Sequence, residues 1–97
     1  MNLLRAQDYP ALRPDQGLNR LNLPGMNTRL IVCAKGCVIP RHGHERAEEI
    51  YVLSGKVRLN QDILAPGDML RTEAGEFHEA EALEDTRFLV MNTLEPR

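Results

Sequence analysis

His42 and His44 stand one residue apart in Cys37-Val38-Ile39-Pro40-Arg41-His42-Gly43-His44, and Glu45, Glu48 and Glu49 follow closely. Residues i and i+2 of a strand point to the same face, so a strand here projects both imidazoles side by side. A third histidine, His78, opens the strand-like segment Phe77-His78-Glu79-Ala80. Two or three imidazoles with one carboxylate suit a divalent transition metal such as Zn, Fe, Mn, Ni or Cu, with positions left for water or substrate. The carboxylate is not fixed by the pattern. Glu45 falls in the turn and is the weaker candidate. Either Glu48 or Glu49 can share the inward face of the run Ile50-Tyr51-Val52-Leu53.

The elements that must position these groups are short. Strand candidates are Leu18–Leu23, Thr28–Ala34, Val38–His44, Glu48–Leu53, Lys56–Leu59, Ile63–Ala65, Met69–Thr72, Phe77–Ala82 and Arg87–Asn92. Turn signals separate them: Pro24-Gly25, Gly36, Ser54-Gly55, Asn60-Gln61-Asp62, Pro66-Gly67-Asp68 and Glu73-Ala74-Gly75-Glu76. No segment carries a convincing helical period. Many short strands with regular turns predict an all-β antiparallel barrel or sandwich. Parity from Glu48 carries Ile50 and Val52 inward as a dry wall. Parity from His78 carries Ala80 and Ala82, whose small size leaves room for a ligand.

The 97 residues suffice for one domain with one modest core. Residues 1–17, with Pro10, Pro14 and Gly17, read as an N-terminal arm with at most one short strand, and 18–97 as the barrel domain. Net charge is −2, with nine Arg/Lys and five Asp/Glu in residues 1–60 against three and nine in residues 61–97. No basic cluster with interleaved aromatics accompanies this asymmetry, so nucleic acid is not an expected partner and the acidic tail reads as strand-surface charge. No apolar run approaches membrane-spanning length. The N-terminus lacks a charged segment followed by an apolar one, so a secretory signal is not expected. Two cysteines without a signal make a reducing cytoplasm the default location.

Gly36, five residues, His42-x-His44, three residues, Glu48, six residues and Gly55 together resemble the first motif of the cupin superfamily. Pro66-Gly67-Asp68 and Gly75-x-x-His78 resemble the turn and the metal-binding end of the second motif. Glu73 and Ala82 depart from it, standing where the family pattern has proline and asparagine. The resemblance covers roughly residues 30–92. It implies a cupin-type β-barrel with a double-stranded β-helix or jelly-roll layout, and it implies His42, His44, Glu48 and His78 as metal ligands, Glu48 rather than Glu49 by its spacing to Gly55. The short gap between His44 and Glu48 is similar to that in the zinc-binding cupin domain of ChrR-type anti-sigma factors, which hold a sigma factor through a separate N-terminal domain. The resemblance also implies a homodimer, and residues 1–17 are the segment to watch for that role. The function it implies is a small-molecule enzyme of dioxygenase or isomerase type, or else a non-catalytic metal-dependent sensor or small-ligand binder. No catalytic general base is identifiable beyond the ligands.

Other side chains carry blander expectations. Cys33 and Cys37 are spaced as buried thiols rather than as a Cys-x-x-Cys redox pair. Tyr51 points out of the barrel by parity from Glu48. Arg41 and Arg46 flank the histidines as rim charges. Arg71 and Glu73 are expected as solvated strand charges. Met69, Leu89 and Met91 are expected as core or pocket wall.

Overall fold

The computed structural model describes Arg5 and residues 18–22, 27–43 and 45–92. The expected arm over 1–17, apart from Arg5, the Pro24-Gly25 turn and His44 lie outside the described residues. Within them the chain forms nine strands: β1 (Leu18–Asn22), β2 (Thr28–Cys33), β3 (Val38–Gly43), β4 (Glu48–Ser54), β5 (Val57–Leu59), β6 (Asp62–Leu64), β7 (Met69–Thr72), β8 (Phe77–Ala82) and β9 (Thr86–Asn92). Each coincides with a strand expected from sequence to within a residue or two. Among the described residues no helix is long and apolar enough to cross a membrane.

All pairings are antiparallel. A five-stranded sheet runs β1-β2-β9-β4-β7 and a four-stranded sheet runs β3-β8-β5-β6. Alternation decides what each sheet turns inward. On β4, Glu48, Ile50 and Val52 are buried while Glu49 and Tyr51 are half-exposed. On β8, His78, Ala80 and Ala82 are buried while Phe77 and Glu79 are exposed. The inner faces meet in one apolar cluster that includes Ile31, Cys33, Ile50, Val52, Val57, Leu59, Leu64, Ala80, Ala82, Phe88 and Val90. Such a barrel-like pair of sheets is the jelly-roll layout expected from the strand pattern.

Two local features matter for the site. The pairing of β3 with β8 runs Ile39↔Ala80 and then His42↔His78, so β3 holds one extra residue between them. This β-bulge resets the alternation: without it Arg41, not His42, would share the inward face of Ile39. Pro40 fits there because β3 is an edge strand, where a missing N–H breaks no ladder. Gly55 closes β4 with φ +85, and a Cβ at this position would collide with the Asp85 carbonyl and the Thr86 backbone. Only glycine accommodates both the left-handed backbone and the close approach.

Several side chains sit otherwise than expected. Met69 is 54% exposed on the edge strand β7, and Leu89 and Met91 are half-buried on the face of β9 opposite Phe88 and Val90. None of the three is pocket wall. The reason is parity: on β9 the inward positions fall to Thr86, Phe88 and Val90. Of the acidic side chains expected as strand-surface charge, Glu79 and Glu81 lie on the outside of β8 at 3.9 and 3.6 Å from Arg58 on β5, whereas Asp68, Glu73, Glu76, Glu84 and Asp85 fall between strands.

Candidate metal centre and cavity

One end of the barrel is filled and the other is hollow. Along β2, β4 and β8 the inward series are Arg29-Ile31-Cys33, Glu48-Ile50-Val52 and His78-Ala80-Ala82. The first two members of each series line a half-open cavity of about 560 Å³, and the third does not. Cys33, Val52 and Ala82 therefore pack the closed end. The cavity wall is otherwise apolar, with Ile39, Val57, Leu59, Phe88 and Val90, and its polar groups are confined to Arg29, Arg41, His42, Glu48, His78 and the Pro40 backbone. A volume of this size with few converging polar groups suits a small molecule.

Glu48 is the best-held of these groups. It is 2% exposed, and its Oε2 accepts hydrogen bonds from Arg29 Nη2 and Asn92 Nδ2, each at 2.8 Å. Arg29 Nη2 also donates to Asn92 Oδ1 at 2.9 Å, which closes a three-membered network. The register builds it: Asn92 is the direct cross-strand partner of Glu48, and β9 lies between β2 and β4. With Oε2 engaged, Oε1 faces His78, whose Nε2 stands 3.8 Å away. Glu49 instead lies on the outer face, 3.8 Å from Arg71.

His42 and His78 are direct cross-strand partners, with ring centroids 4.3 Å apart and planes at 66°. His42 Nδ1 lies 2.8 Å from the Pro40 carbonyl, which can only accept, so Nδ1 carries the proton. In neutral His42 this leaves Nε2 with the lone pair. Such a backbone anchor on one ring nitrogen is how ligating histidines are oriented.

The donor types fit a divalent transition metal: His42 Nε2, His78 Nε2 and Glu48 Oε1, with the second carboxylate oxygen and the second His42 nitrogen already held by the protein. Two donors each about 2.1 Å from a tetrahedral ion stand roughly 3.4 Å apart, close to the Glu48–His78 spacing. Among the described residues no three His, Cys, Asp or Glu side chains are drawn together into a complete metal-binding group. The fourth residue of the expected set, His44, lies outside the described residues. Arg29 and Asn92 were not singled out from the sequence. Arg29 did leave a signal, as the only charged side chain in the apolar β2 segment and at the parity of Ile31 and Cys33. Asn92 left none.

The remaining candidates fall outside the cavity or on its rim. Arg41 is exposed on the bulge, its guanidinium carbon 5.3 Å from the Phe77 ring centroid. Arg71 donates to Glu73 at 2.8 Å outside the cavity, and this carboxylate raises its pKa. Glu45 is exposed in the turn. Cys33 is buried, and its thiol is pushed up to about 12 by loss of hydration, with the neighbouring Cys37 thiol adding to the shift. Cys37 packs against the core and does not line the cavity.

Two facing antiparallel sheets enclosing a cavity with histidines and a carboxylate at its open end define a cupin. The chain belongs to the ChrR cupin-like domain family, which matches it over residues 4–96. No protein of curated function matches its sequence. In the crystal structure of Rhodobacter sphaeroides SigE in complex with the anti-sigma ChrR, one chain is similar at 26% identity and a TM-score of 0.68. The similarity covers 78% of this chain and 44% of that one, so this chain spans less than half the length of that relative. KdgF from Halomonas sp. is similar at 25% identity and a TM-score of 0.71, over 93% of this chain and 90% of that one. The formate complex of Lactobacillus farciminis oxalate decarboxylase is similar at 25% identity and a TM-score of 0.64, over 71% of this chain and 23% of that one.

Proposed function

We propose that this protein is a metal-dependent small-molecule enzyme of the cupin type, its metal held by His42, His44, Glu48 and His78. The observation that carries the reading is the convergence of His42, Glu48 and His78 on one apolar, half-open cavity of about 560 Å³. A bound divalent ion such as Zn, Fe, Mn, Ni or Cu supplies Lewis acidity toward an oxygen-bearing substrate, or redox chemistry if it is redox-active. The chain's own residues do the rest. Arg29 and Asn92 fix the Glu48 carboxylate, the Pro40 carbonyl fixes the His42 ring, and Ile31, Ile50, Phe88 and Val90 exclude water from the inner part of the cavity. The reaction class, in the dioxygenase or isomerase range, follows from family analogy. Oxalate decarboxylase among the similar structures supports an enzyme of some kind.

A second reading is favoured by the family match itself. On that reading the domain is a non-catalytic metal-dependent sensor, with zinc closed in by four protein ligands and no exchangeable position. Cobalt-loaded protein titrated with azide separates the two. The enzyme reading expects a saturable change in the visible cobalt bands, because an external ligand reaches the ion. Cobalt bands that azide leaves unmoved contradict it and favour the sensor. A homodimer, implied by the family resemblance, belongs to the same proposal. Sedimentation equilibrium should give twice the chain mass, and a monomer at all loading concentrations rejects it.

A further inference from the structure

We propose that Arg29 anchors the carboxylate of a small aliphatic acid in the cavity, which makes organic monoanions the ligand class of this site. The inference rests on the small-molecule reading of the cavity and adds to it the charge and shape of the occupant. Arg29 lines the cavity, and its side chain is 26% exposed. A guanidinium carries five N–H donors in a planar fork. Nη2 donates to Glu48 Oε2 and to Asn92 Oδ1, which uses both of its hydrogens. Among the described residues the N–H groups of Nε and Nη1 meet no acceptor. Permanently charged donors beside an apolar wall are costly unless something accepts from them. The Glu48–Asn92 brace also holds the guanidinium in place, so little mobility is lost when a ligand binds it.

Charge and shape select the partner. Two arginines, Arg29 and Arg41, line the cavity against one carboxylate, Glu48. The lining is thus net cationic before any metal is counted, and an anion is the charge it lacks. A carboxylate matches the guanidinium fork in geometry, and its bonds are charge-assisted. The walls beyond it are hydrocarbon, formed by Ile31, Ile50, Leu59, Phe88 and Val90, so the body of the acid must be apolar. A bare inorganic anion would leave those walls unfilled.

Calorimetric titration with hexanoate, its neutral isostere hexanamide, and hexan-1-amine tests this on the full chain. Wild type should prefer hexanoate to hexanamide by at least about tenfold, the span expected for a charge-assisted bond, and should bind the amine weakest. Arg29→Gln should bring the two affinities within about twofold of each other, with hexanamide binding weaker but still measurable, and Arg29→Lys should restore part of the preference. The titrations are run on chelator-dialysed and on zinc-loaded protein, and the Arg29-dependent preference should appear in both. A preference that survives Arg29→Gln, or one that appears only with zinc, places the carboxylate elsewhere and overturns the proposal. Equal binding of hexanoate and hexanamide by wild type overturns it too, while leaving the cavity a small-molecule site. Binding of none of the three probes by wild type removes that underlying reading as well.

Discussion

His42 and His78, far apart in sequence, are direct cross-strand partners, and a single extra residue in β3 makes them so. The bulge at Pro40 and Arg41 turns His42 toward the cavity and puts the Pro40 carbonyl 2.8 Å from its Nδ1. One irregularity thus both aims the ring and fixes which of its nitrogens meets the backbone carbonyl.

Glu48 and Glu49 are neighbours with opposite surroundings, and their exchange for glutamine should separate accordingly. Glu48→Gln removes the carboxylate that faces His78 and leaves Arg29 without its charge partner. It should lower metal affinity by about tenfold or more, and weakening the part-buried pair should cost about 1–3 kcal/mol of stability. Glu49→Gln should change metal content not at all and stability by less than about 0.5 kcal/mol. Competition with a chromophoric chelator reads the first effect and urea denaturation the second. Loss of metal in Glu49→Gln with retention in Glu48→Gln would show that the carboxylate has been assigned to the wrong face.

Much of this arrangement was legible in the chain. Alternation along Glu48–Leu53 and Phe77–Ala82 gave the strands and the inward partners Ile50, Val52, Ala80 and Ala82, because side-chain period 2 is a local property. The bulge was not legible, since an extra residue in β3 shows only against β8. The brace on Glu48 was hidden for a similar reason. Arg29 and Asn92 lie on β2 and β9 and reach Glu48 only through the β2-β9-β4 strand order, which no local pattern encodes. Met69 was misjudged because an apolar residue on an edge strand need not face the core.

Asn92 touches Glu48 without lining the cavity, so it acts through the carboxylate it orients. Asn92→Ala should weaken metal binding by about 10–100-fold, while the fold, read by circular dichroism, is retained. Asn92→Asp should be worse than alanine for stability, since it sets a second carboxylate against Glu48. Unchanged metal affinity in Asn92→Ala would show that Arg29 alone holds Glu48.

Cys33 makes stability pH-dependent on the alkaline side. Its thiol titrates near 9.0 when unhindered and at about 12 in the folded chain. Between those values the unfolded chain loses this proton and the folded chain keeps it, so stability must fall as pH rises. The slope from this one group is at most about 1.4 kcal/mol per pH unit. Urea denaturation between pH 8 and pH 11, as roughly spaced points across that window, should show wild type losing stability faster than Cys33→Ala. Parallel curves would mean that the thiol is not held protonated by the core.

Gly55 is required by backbone geometry. Gly55→Ala places a Cβ against the Asp85 carbonyl and the Thr86 backbone, at a φ of +85. The cost should be about 2 kcal/mol or more, read as a lower urea midpoint. Gly36 also has positive φ, but a Cβ there meets nothing within 4 Å, so Gly36→Ala should cost less, about 1 kcal/mol. Equal costs at the two sites would show that backbone strain alone, without the collision, sets the penalty.

Metal content is the most direct test of the account. Untagged protein, purified without chelators from metal-supplemented medium, is analysed by inductively coupled plasma mass spectrometry beside His42→Ala, His44→Ala and His78→Ala. Wild type should carry near-stoichiometric divalent metal, and each variant should lose most of it. Wild-type protein without metal, and with none taken up on titration, would contradict the account, as would tight stoichiometric metal retained in the histidine variants.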